Sequence, residues 1–73
     1  MNEQVYRQAA EEFMKLTLDQ KKQKLLELVN SFKDAHPVFK EIREDIQALE
    51  YTDSQYLEIY KIILKSVYKV EQE

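Results

Sequence analysis

Apolar residues recur every three or four positions along most of the chain, the spacing that lines one face of an α-helix. Four amphipathic segments follow from this pattern, at about residues 3–16, 18–34, 37–50 and 54–71. In the first, Val5, Tyr6, Ala9, Ala10, Phe13 and Leu16 share one side. Glu3, Arg7, Glu11 and Lys15 line the other, as two i,i+4 pairs in the favourable order. In the second, Leu18, Leu25, Leu28, Val29 and Phe32 make the apolar face, and Leu26 falls off it. The third carries Val38, Phe39, Ile42, Ile46 and Leu49 on a narrow stripe.

The last segment has a broader face than the others. Tyr56, Ile59, Tyr60, Ile63, Leu64, Val67 and Val70 cover about half of a helix. Glu58, Lys61, Lys65 and Lys69 hold the opposite side, with Ile62 among them. So broad a face has to be covered by several neighbours or by a partner.

The breaks between segments are written in local chemistry. Thr17-Leu18-Asp19-Gln20 has the capping-box spacing, in which the Thr hydroxyl and the Gln side chain satisfy each other's backbone N–H groups. Continuing the first helix through Thr17 would place the second apolar face roughly 110° from the first. His36-Pro37 ends the second helix and starts the third, because proline disfavours helix before it and suits a first turn. Thr52 and Gln55 repeat the capping-box spacing thirty-five positions after the first box. Thr52, Asp53 and Ser54 are poor helix formers, which favours a turn there over one continuous helix from 37 to 72. The expected fold is therefore all-α: a small four-helix bundle made of two helical hairpins, its last helix central. The alternative is three helices with a long last one. Beyond Thr and Gln the two halves do not match in residue type, so no duplication is read from the sequence.

Composition narrows the picture. The chain has 73 residues, no glycine, one proline and no cysteine. A chain without glycine is poorly suited to tight hairpin turns, and its helix ends must be finished by Asn, by side chains or by water. Without cysteine the core must supply the stability, on the order of 3–5 kcal/mol for a domain this small. The net charge of −3 argues against non-specific binding to nucleic acid or an anionic membrane. The N-terminal stretch lacks the apolar run of a signal peptide, and no window approaches the ~18 apolar residues of a membrane span. A soluble cytoplasmic protein is expected.

Catalytic chemistry finds little material. His36 is the only histidine, and a helix-junction role suffices for it. Neighbouring carboxylates such as Glu11–Glu12 and Glu44–Asp45 diverge by about 100° on a helix, and no Glu-x-x-His motif offers metal ligands. Phosphate-cradling loops need glycines that are absent. No enzyme, cofactor or metal is expected. Lys21, Lys22 and Lys24, with Lys15 nearby, read as a solvated helix surface.

What remains is recognition. The expected function is that of a small protein-binding adaptor or regulator acting through a helix face. Ile62, Tyr68 and Leu26 are its candidate apolar anchors, while Lys65 and Lys69 supply a polar rim that favours an acidic partner. The alternative is a homodimer that buries the broad last helix. A nucleic-acid-associated regulator using the Lys15–Lys24 cluster ranks below both.

Overall fold

The computed structural model describes residues 2–32 and 37–68. It contains four helices: α1 (Glu3–Met14), α2 (Leu18–Phe32), α3 (Val38–Ala48) and α4 (Asp53–Val67). The fold is the expected all-α arrangement of four helices. The three-helix alternative is excluded by the break between Ala48 and Asp53. Helices α3 and α4 stop at Ala48 and Val67, short of the expected 50 and 71, because the backbone turns extended at Leu49 and Tyr68. The expected continuation of the second helix to 34 lies outside the described residues, as does His36.

The breaks at Thr17 and Thr52 are made by the chemistry expected of them, with one difference at the end of the first helix. At Thr17 the backbone N–H donates to Gln20 Oε1 at 3.0 Å, and the Gln20 N–H donates to Thr17 Oγ1 at 3.2 Å. At Thr52 the same reciprocal pair measures 2.9 and 3.2 Å. The first helix stops at Met14, two residues earlier than expected. Its end tightens into i→i+3 bonds, with Lys15 and Leu16 donating to Glu12 and Phe13 carbonyls. That tight turn carries Lys15 over Glu12, at 3.0 Å, in place of the expected pair with Glu11. The Glu3–Arg7 pair forms as expected, at 2.7 Å.

Nine residues form the apolar core: Phe13, Leu25, Val29, Phe39, Ile46, Tyr56, Tyr60, Ile63 and Leu64. Four of them come from α4, which packs against both α1 and α2, while α2 packs against both α3 and α4. Helix α4 is thus central as expected, but α2 shares that position. Phe13 of α1 stacks on Tyr60 of α4 with ring centroids 4.2 Å apart. Val5, Leu18, Val38 and Leu49, expected on core faces, are exposed. Three of them flank or sit at helix ends, and the Cα extents of 37 × 28 × 15 Å explain why there is no room inside for them. With helix axes about 8–10 Å apart, the thin dimension holds about two layers.

The helices pair crosswise and not as the two helical hairpins expected from the short connections. Consecutive helices α1 and α2, or α3 and α4, are not closely packed on each other; instead α1 lies on α4 and α3 on α2. Exchanging the two halves leaves this packing unchanged. A shift of thirty-five positions carries the start of α1 onto the start of α3, and both ends of α2 onto those of α4. It also carries buried Lys21, Leu25 and Val29 onto buried Tyr56, Tyr60 and Leu64. Even the Ser31 hydroxyl bond to the Glu27 carbonyl recurs as Ser66 to Ile62, both at 2.9 Å. The repeat hinted at by the capping boxes is therefore structural, though residue types have diverged.

Lys21 ties the two halves together. It is only 2 % exposed, contrary to the solvated surface expected for the lysine cluster. Its ammonium donates to the Leu16 carbonyl at 2.6 Å, finishing the end of the α1 turn. It also pairs with Asp53 Oδ1, at 2.9 Å, on the first residue of α4. Position 21 lies in the 21–25–29 row that faces the core, so the helix phase carries it inward regardless of its charge. The paired carboxylate and carbonyl make that burial tolerable.

Candidate protein-binding groove

Because α3 and α4 are held by α2 and α1 rather than by each other, a groove opens between them. Its volume is about 440 Å³. Ile42, Asp45 and Ile46 of α3 form one wall, and Ser54, Gln55, Glu58, Ile59 and Ile62 of α4 form the other, with Tyr51 at the connecting end. The α4 residues recur at three- and four-residue spacing, so they share one helix face. Ile46 is fully buried at the floor, Ile42 and Ile59 are half-buried, and Ile62 stands 54 % exposed. Tyr51 is fixed edge-on against Tyr56, with centroids 5.5 Å apart.

A second groove, of about 370 Å³, is lined by Leu16, Asp19, Gln20, Gln23, Lys24 and Glu27. Each of these six lies thirty-five positions before a lining residue of the first groove: Tyr51, Ser54, Gln55, Glu58, Ile59 and Ile62. The fold thus repeats one wall of the groove, but no α1 residue lines the second concavity as Ile42, Asp45 and Ile46 of α3 line the first. In one copy Lys24 and Glu27 stand where the other has Ile59 and Ile62. The polar copy shows that the exposed place of Ile62 need not be apolar, whereas Ile59 is half-buried and packs against the core.

The groove's charges are acidic. Asp45 stands on one wall and Glu58 on the other, and no lysine or arginine lines it. Asp45 has no ion-pair partner among the described residues. Glu58, its side chain 71 % exposed, meets Lys61 only at 4.0 Å.

The residues singled out from sequence do not converge on one surface. Ile62 lies in the groove. Leu26, expected to be exposed, is half-buried and packs against the core. Tyr68 is exposed and sets its ring edge-on to Phe32 at 6.3 Å, away from the groove lining. Lys65 places its ammonium 5.7 Å from the centre of the Tyr6 ring on α1, a cation–π contact. Lys69 lies outside the described residues. Neither Lys61 nor Lys65 is among the groove's lining residues, although Lys61 lies 4.0 Å from Glu58 on its wall. Ile42, Tyr51, Ile59, Asp45 and Glu58 were missed as groove residues. Only Ile59 had a sequence signal, the excess breadth of the last apolar face; Ile42, Asp45 and Tyr51 reach the groove from outside α4.

Elsewhere, Tyr60 has its phenol pushed above the usual tyrosine range, by burial first and by the Tyr68 phenol second. Among the described residues no group of three His, Cys, Asp or Glu side chains could hold a metal ion, and no helix is long and apolar enough to cross a membrane. Comparison of the chain with known protein families, with curated proteins and with solved structures found no match. The groove's own geometry is what bears on function.

Proposed function

We propose that this chain is a non-catalytic protein-binding module that receives a partner in the α3/α4 groove, with Ile62 as the central anchor. The observation that carries this reading is Ile62, an exposed isoleucine in the groove where the equivalent place on α2 holds Glu27. Folding tolerates Glu27 there, so the exposed Ile62 calls for a reason beyond the core packing that accounts for Ile59. An exposed isoleucine beside half-buried ones, between polar walls, is the pattern of an anchor pocket with a wet rim. A nucleic-acid role is less well supported, since Lys21 of the basic cluster is committed to Leu16 and Asp53.

The test grafts one groove wall onto the other. Ile59→Lys with Ile62→Glu gives the α4 wall the residues of its α2 counterpart, and circular dichroism together with a melt checks that the variant is folded. Peptides selected from a helical library on the wild-type chain should lose binding to this variant. Peptides that bind both proteins equally would refute the reading. A wild-type dimer that the graft dissociates would refute it too, by filling the groove with a second copy.

A further inference from the structure

Resting on that reading, we infer that the groove's partner is an amphipathic helix whose apolar stripe is flanked by lysine or arginine on both sides. Shape argues for a helix. Along α4 the groove extends from Ser54 to Ile62, eight residues' rise, or about 12 Å of helix axis, with Tyr51 just before the helix start. That length matches about two turns of a docked helix, which would present apolar residues at i, i+4 and i+7. Both walls are helices whose backbone groups are bonded within the helix, so an extended peptide would gain no ladder of main-chain bonds. Affinity has to come from side chains entering between Ile42, Ile59 and Ile62.

Charge argues for cations on both flanks. Asp45 and Glu58 stand on opposite walls, so a helix lying between them is met by a carboxylate on each side. The cations nearest in sequence are engaged elsewhere: Arg43 reaches Asn30 at 3.3 Å, and Lys65 lies over Tyr6. Lys61 approaches Glu58 only at the limit of an ion pair. The chain's net charge of −3 adds a long-range attraction of the same sign. The second groove mixes Asp19, Lys24 and Glu27 and has no such preference. Complementary charge at a rim acts mainly on association rate and on the choice of partner.

The experiment uses three sixteen-residue helical peptides with one shared leucine stripe, their flanks carrying lysine, glutamine or glutamate. Binding to the full chain is read by fluorescence anisotropy at low and high salt. The lysine peptide should bind about three- to tenfold tighter than the glutamine peptide, as two exposed ion pairs allow, and the glutamate peptide weakest. The advantage should shrink as salt rises. Asp45→Lys with Glu58→Lys, both at exposed positions, should reverse the order. Equal affinities for all three peptides, abolished by Ile62→Glu, would overturn the charge preference and leave the groove as a binding site. An order that survives the charge reversal would also overturn it. No binding by any peptide, together with a library selection indifferent to the groove graft, would overturn both this inference and the reading beneath it.

Discussion

Replacing Lys21 by methionine keeps most of the buried stem and removes the ammonium. The ammonium makes a 2.6 Å bond to the Leu16 carbonyl and a 2.9 Å contact with Asp53, and both are lost. A hydrogen bond from a charged donor contributes about 1.5–3 kcal/mol. The Asp53 side chain is 54 % exposed, so the ion pair is partly screened and adds only about 1 kcal/mol. Against this, methionine no longer has to be stripped of a hydration shell, which returns part of the loss. The expected net destabilisation is about 1–3 kcal/mol, or roughly 4–20 °C in melting temperature for a domain of this size. Asp53→Asn should cost about 1–2 kcal/mol in the wild-type background, because it leaves a buried cation without its counter-charge. In the Lys21→Met background it should cost only the helix-dipole contribution of a first-turn carboxylate, about 0.3–1 kcal/mol. Urea unfolding of the four proteins closes the cycle. A coupling below about 0.3 kcal/mol, or a Lys21→Met protein as stable as wild type, would refute the view that this contact fastens the two halves.

Other expectations are open to quicker checks. Thr17→Ala and Thr52→Ala should each cost about 1 kcal/mol in chemical denaturation, since each removes the acceptor for a Gln backbone N–H. Ile62→Glu should change stability by less than about 0.5 kcal/mol, whereas Ile63→Ala should cost about 2–5, because the first side chain is exposed and the second buried. Burial favours the protonated phenol of Tyr60, so its folded pKa lies above the unfolded value of 10.0. The unfolded chain then loses this proton first, and stability should fall as pH rises past about 10. Tyr60→Phe, which keeps the stack on Phe13, should remove that part of the alkaline loss in pH-dependent melts.

What sequence reading recovered was local. Both capping boxes, the all-α class and the break before Asp53 depend on residues within a few positions of one another, and each was legible. Partner choice between helices was not, because the crosswise packing of α1 on α4 and α3 on α2 depends on how side chains from distant segments fit. Lys21 shows the difference well. Set between Gln20 and Lys22, it reads as surface; the better clue was its 21–25–29 phase with Leu25 and Val29. Ile62 was legible as a misplaced apolar residue, but its neighbours Ile42 and Tyr51 come from across the groove. Leu26 looked equally misplaced, yet it packs against the core.

The turns of this protein have a consequence for the chain when it is not folded. Among the described residues no backbone enters the left-handed region, so no described turn or helix end needs a glycine. Helix α3 and helix α4 pass directly into extended backbone at Leu49 and Tyr68, while α1 ends in a tight right-handed turn. At average usage a chain of this length would carry about five glycines. Each one replaced where the native conformation permits lowers the entropy of the unfolded ensemble, stabilising the fold by about 0.4–1 kcal/mol. Summed over the chain this is on the order of 2–5 kcal/mol, comparable with the whole net stability expected of so small a domain. A share of what keeps this thin molecule folded therefore lies in the conformations its disordered chain is denied, where no contact in the native structure records it.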